Sequence, residues 1–167
     1  DLIAGNRCER PVKHARDDSH EPLPNIYAYK RERIAALCKV PEIENARGTV
    51  AIPLGLNIYE MYPFWFAFWR SLKYNVIFSP FSSKDIYLEG QHSVPSDTVC
   101  YPAKIMHGHI LRLIEKEPDF IFYPCLTYNF DENISDNHYN CPVVAYYPQV
   151  LEANMEELKH IPYHMPF

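Results

Sequence analysis

The chain has 167 residues, 47 % of them hydrophobic and 22 % charged, enough for one core of ordinary size and a balance that excludes disorder and coiled coil. Sixteen Lys and Arg against 21 Asp and Glu give a net charge of −5; with no basic patch beyond the short run at 30–33, nucleic acid is not an expected partner. No apolar run reaches the ~20 residues of a membrane helix and no signal peptide opens the chain, so neither a membrane nor export is expected and the cytoplasm is the expected location.

Residues 1–24 are polar and punctuated by Pro and Gly, which reads as an irregular N-terminal extension. The chain starts at Asp1 without a Met, as expected of a piece of a longer protein. Residues 25–38 carry a loose apolar stripe (Ile26, Tyr29, Ile34, Leu37) behind Asn25 as a cap, which predicts a short helix. This helix and its linker close a first segment at 48, and 49–167 reads as the α/β domain proper.

Within that domain, TVAIPL at 49–54 predicts a buried strand. Met61, Phe64, Trp65, Phe68 and Leu72 follow at helical spacing, with Pro63 compatible only with a first turn. NVIFS at 75–79 predicts a second strand, so 49–79 has the length of a βαβ unit. Residues 80–97, rich in Ser and Pro, read as a long loop. A helix is predicted over 101–116, with Pro102 in its first turn and Ser96 or Thr98 near its start as a cap. DFIFYP at 119–124 and PVVAYY at 142–147 predict a third and a fourth strand, and 151–160 a last helix. The alternation implies an open, mostly parallel, Rossmann-like sheet of about four strands with helices on both faces.

Ligands of such sheets bind beyond the carboxyl ends of the strands. That edge holds 55–59, 79–84, 93–100 and 123–129, and with them Cys100 and Cys125. Cys100 stands at a predicted helix start, where backbone N–H groups and the helix dipole favour a thiolate. Cys125 stands just past a strand. Two thiols delivered to one crevice suit a 4Fe-4S cluster or zinc, although there is no CxxC, and two buried inert thiols are the plain alternative. Cys141 precedes the predicted fourth strand and so falls at the opposite edge, roughly 17–20 Å away, unless 126–141 folds back. Cys8 could supply a ligand from outside the fold, and Cys38 reads as core. His107 and His109 are two apart on a helix and do not share a face, so they make a poor metal pair. No phosphate-binding glycine motif and no nucleophile elbow is present.

The phrases GNRCER, IPLGLNIYEMYPFW, SVPSDTVCYPAKIMHGHI, DFIFYPC and DNHYNCPVVAYYP resemble blocks of the large bacterial proteins related to the activator of 2-hydroxyacyl-CoA dehydratase, over residues 5–150. In that family ATP-binding activase domains are followed by a domain like this one, similar to the dehydratase subunits whose cysteines hold an iron–sulfur cluster. The resemblance implies that Cys100 and Cys125 correspond to the first two cluster cysteines, with a third ligand from a further domain. Cys8 and Cys141 fall within the family's blocks as additional candidate ligands. It further implies activase domains and dehydratase-like subunits as partners. Three readings follow: an iron–sulfur electron-transfer domain; a non-catalytic docking domain with structural thiols; and an enzyme using Cys100 as nucleophile with His107 as candidate base.

Overall fold

The computed structural model describes residues 23–167. The extension at 1–22, and Cys8 with it, lies outside the described residues.

Helix α1 (Ile26–Leu37) begins where predicted: the Asn25 side chain accepts from the Ala28 N–H at 3.0 Å. Its apolar stripe does not enter the core. Ile26, Tyr29 and Leu37 are exposed, and an exposed Lys30–Glu60 pair at 2.7 Å ties α1 to the rest of the chain. Cys38, read as core, is the half-buried C-cap of α1.

Strand β1 (Thr49–Ile52) is central, with Val50, Ala51 and Ile52 fully buried, which is why its sequence is apolar without alternation. Helix α2 (Ile58–Ser71) returns the chain to β2 (Asn75–Phe78), parallel to β1 in the register Thr49 to Asn75. Pro63 lies in the second turn of α2 rather than the first, and the helix runs through it. The predicted loop after β2 contains helix α3 (Lys84–Gly90), capped by Ser83, and a 3-10 turn at Gln91–Ser93. Helix α4 (Tyr101–Ile114) leads to β3 (Phe120–Phe122), which lies beside β1.

The predicted fourth strand is a helix. Residues 142–147 open α5 (Pro142–Asn154), and the predicted last helix resolves into the end of α5 and a 3-10 turn at Glu156–His160. The reason is local: Pro142 takes the first helical position behind an extended Cys141, and a short apolar run such as PVVAYY has no period that separates strand from helix. The fourth strand is β4 (Tyr163–His164), paired with β3.

The sheet is parallel throughout, in the order β2-β1-β3-β4, with helices on both faces. On one face the indoles of Trp65 and Trp69 in α2 meet the rings of Phe120 and Phe122. The alternate residues, Ile121 and Tyr123, are buried toward the other face. Tyr163, in register with Ile121, donates its hydroxyl proton to the Pro148 carbonyl of α5 on that side. In this strand order the connection after β1 leads outward to β2 and the connection after β3 leads outward the other way to β4, which makes the gap between β1 and β3 the switch point where crevices open. No helix among the described residues is long and apolar enough to cross a membrane.

Candidate functional site

The loops after β1 and β3 meet at that switch point. The start of α2 supplies Asn57, Glu60 and Met61, and the chain after β3 supplies Asn129 and Asn140, around a cavity of about 280 Å³. Asn57 caps α2 by position only; its side chain makes no cap hydrogen bond.

The pairing of β3 with the C-terminal segment carries on past the regular strand. Ile121, Tyr123 and Cys125 donate their N–H groups to the carbonyls of Pro162, His164 and Pro166 at 2.9, 2.9 and 2.8 Å. This extended run sends Tyr123 and Cys125 to the face away from α2. The Cys125 thiol is 4 % exposed, and burial pushes its pKa up.

From Leu126 the chain makes an excursion and comes back. Tyr128 and Tyr139 form an antiparallel bridge, the Asn129 N–H donates to the His138 carbonyl at 2.8 Å, and the Asn140 N–H donates to the Thr127 carbonyl at 3.1 Å. The Asn140 side-chain amide closes the base on the Leu126 carbonyl at 2.8 Å and pairs with the Asn129 amide at 2.9 Å. Cys141 therefore re-enters where Cys125 left. The expectation that Cys141 lies at the opposite edge is overturned, because the element after it is a helix that starts at the carboxyl edge rather than a strand that ends there.

Cys100 and Cys141 occupy equivalent positions. Each is an exposed N-cap with extended backbone, followed by a Pro in the first turn of α4 or α5. Each carbonyl accepts the opening helical bond, from Lys104 at 3.1 Å and from Ala145 at 2.9 Å. The cap of α4 is thus Cys100 and not Ser96 or Thr98, whose hydroxyls bond each other at 2.8 Å. Between the two helix starts lies an almost wholly apolar groove of about 410 Å³, walled by Pro95 and Val99 on one side and Pro142, Val143, Tyr146 and Val150 on the other.

The two histidines of α4 are fully buried and separately engaged. Ser79 Oγ accepts from the Leu54 N–H at 2.8 Å and is hydrogen-bonded to His109 Nδ1 at 2.7 Å, while His109 Nε2 is hydrogen-bonded to Ser82 Oγ at 2.8 Å, so one ring nitrogen donates and the other accepts. Ser93 gives its proton to the Gly90 carbonyl, so it accepts from His107 Nδ1–H at 2.7 Å, leaving Nε2 to accept from the Tyr147 hydroxyl at 3.0 Å. Burial lowers both imidazoles to about 4. With both ring nitrogens taken, His107 is not placed as a base for Cys100. Lys104, one turn from the start of α4, donates to the Asp97 carbonyl at 2.7 Å.

A family model described as "CoA enzyme activase uncharacterised domain (DUF2229)" matches residues 49–167. The chain belongs to this CoA enzyme activase domain family. No curated protein and no solved structure matches it. The activase family bears out the resemblance read from the sequence blocks at that level, and the domain is activase-like.

An iron–sulfur group is what the resemblance attaches to such a domain, and the residues of the activase domain fit it in kind. Three free thiols, Cys100, Cys125 and Cys141, share one edge. The hydroxyl of Tyr123, buried on the same face of β3 as Cys125, has no hydrogen-bond partner. They do not by themselves complete a ligand set: among the described residues no three His, Cys, Asp or Glu side chains gather closely enough to hold a metal ion. Sequence reasoning placed 123–129 at this edge, Tyr123 and Asn129 with it, but missed Asn140 and Tyr147. Asn140 reaches the edge only through the return of the excursion, and Tyr147 was hidden by the misread helix.

Proposed function

We propose that this domain serves an activase protein as its thiol-bearing electron-transfer module in the ATP-driven activation of 2-hydroxyacyl-CoA dehydration. Cys100, Cys125 and Cys141 supply ligands to a 4Fe-4S cluster, and the rest of the ligand set comes from Cys8 or from another domain. The observation that carries this reading is the return of Cys141 to the edge that already holds Cys100 and Cys125. When bound, such a cluster stores and passes one electron. The chain's own part is to present sulfur. Two helix N-termini hold Cys100 and Cys141 exposed at that edge. The extended β3 run holds Cys125 out of water. Activase domains and dehydratase-like subunits are the partners this reading assigns.

Anaerobic reconstitution with iron and sulfide tests it. The wild-type chain should take up ~4 iron and develop the broad visible absorbance of a cluster. Changing Cys100, Cys125 or Cys141 to Ser should remove most of both. A wild-type chain that takes up no iron overturns the reading for this domain by itself.

The apolar groove between the starts of α4 and α5 favours a second reading, a docking domain whose thiols are structural. A variant lacking all five cysteines that still binds an activase partner with wild-type affinity would establish it.

A further inference from the structure

The sheet ends in two outer strands, β2 and β4, and the chain treats them differently. Beside β2 the open side is guarded. The Lys116 ammonium donates to the Phe78 carbonyl at 3.2 Å, and the linker before β1 is tied to the start of β2 by the Ile43 N–H on the Asn75 side chain at 2.8 Å. Beside β4 there is no such guard. The carbonyls of Pro162, His164 and Pro166 face β3 and accept from it. Backbone groups alternate in direction along a strand, so the N–H and C=O groups of Tyr163 and Met165 point outward. Among the described residues none of these outward groups has a backbone partner. The two prolines turn their missing donors toward β3, and 161–167 carries no Lys, Arg, Asp or Glu. An outward proline and a charge are the usual means of keeping an outer strand from pairing, and both are absent.

The sheet surface beside β4 is open as well. The His164 ring lies on the α2 face, its centroid 5.2 Å from that of Phe120. Beside α2 remains an open cleft of about 580 Å³, walled by the rings of Trp69, Tyr74, Phe120 and Phe122 and by His164 and Pro166. Parallel sheets bury both faces, and among the described residues nothing fills this part of one. No carboxylate lines the cleft. The Arg47 guanidinium lies 5.0 Å from the centroid of the Tyr74 ring. The outward main-chain groups fit a strand, the ring-walled cleft fits an apolar side chain, and Arg47 fits a carboxylate.

We propose that the outer side of residues 163–167 docks an extended acidic segment of a partner protein, which adds a fifth strand beside β4 and seats an apolar side chain in the cleft. Main-chain bonds supply the affinity in this mode, and the seated side chain the specificity. A second copy of the chain does not fit. Laid on this strand it offers only 163–167, with no carboxylate for Arg47, and so short a pairing falls well below the ~1,600 Å² of a standard interface. The proposal needs neither a metal nor the thiols.

The test is fluorescence anisotropy of a fluorescein-labelled peptide, Glu-Val-Thr-Phe-Thr-Val-Glu, titrated with the 1–167 chain. Saturable binding is expected. Two further peptides carry N-methyl groups on one or the other alternate set of backbone nitrogens. One set should abolish binding and the other should leave it, because only one side of the added strand faces β4. Replacing the peptide's Phe by Ser, or Met165→Pro in the protein, which removes an outward N–H and keeps the bonds to β3, should each weaken binding ~10-fold. Exchanging both Glu for Lys should weaken it severalfold at low salt. No saturable binding of the parent peptide overturns the proposal, and so does equal tolerance or equal loss with the two methylated sets. Unchanged affinity of the Ser peptide overturns the seating in the cleft. A wild-type dimer in sedimentation that Met165→Pro dissociates overturns it in favour of a second copy.

Discussion

A histidine sealed inside a helix packing makes stability depend on pH in a definite sense. His107 and His109 sit near pKa 4 in the folded chain because burial disfavours the imidazolium, whereas each takes up a proton near pH 6.5 once unfolded. Between those values the unfolded state binds more protons. Stability is therefore complete above pH 6.5 and is lost as pH falls toward about 4, by at most ~1.4 kcal/mol per pH unit for each ring. Urea midpoints measured across this window should fall with acid, and His109→Gln should roughly halve the slope. A flat profile would contradict neutral, buried rings. The two-residue spacing of these histidines put them on different faces, and each ring has its own set of partners. Their burial was not legible, because the wall that covers them is α3 and the 3-10 turn after it, where the sequence reads as loop.

That wall is itself a matter of two glycines. Helices α3 and α4 cross at Gly90 and Gly108 so closely that a Cβ on Gly108 would overlap the Ile86 carbonyl, and one on Gly90 would strike the backbone of Gly108. The crossing is fastened outside by Arg112 forking onto Glu89. Gly108→Ala should cost about 3 kcal/mol, seen as a melting temperature roughly 6–12 °C lower for a chain of this size. An unchanged melting point would show that the helices can slide apart freely. By contrast, Arg112→Ala should cost under ~1 kcal/mol, since the pair is largely solvated. Three of the four strands were legible from their apolar runs. The element at 142 was not, because β-branched and aromatic residues favour strands locally, and only Pro142 and the packing of Tyr147 and Leu151 into the core decide for a helix.

At the scale of the whole molecule, the thiol edge depends on the C-terminal strand. The bonds from Tyr123 and Cys125 to His164 and Pro166 are what keep the chain extended beyond β3. Ending the chain at Pro162 should leave β1, β2 and most of the core in place but release Cys125. Thiol-reagent modification should then find Cys125 as reactive as the exposed Cys100 and Cys141, where in the intact chain, with Cys125 buried, it should lag. Equal lag in both chains would mean the pairing is irrelevant to its protection. The parallel architecture and the presence of Cys100 and Cys125 on its carboxyl edge follow from alternation of strands and helices, so both were legible. The third cysteine reaches that edge only through contacts between residues distant in sequence, which no local pattern encodes.

The amide clasp of Asn129 and Asn140 separates the span beyond it from everything that matters to the sulfur positions. Between 130 and 137 the described backbone is tied only to itself and to the clasp. Such a span can lengthen at little entropic cost, so an epitope tag or a fluorophore-bearing peptide spliced at Asn133 would ride outside while the cysteines kept their places. The molecule carries a built-in handle on its working side.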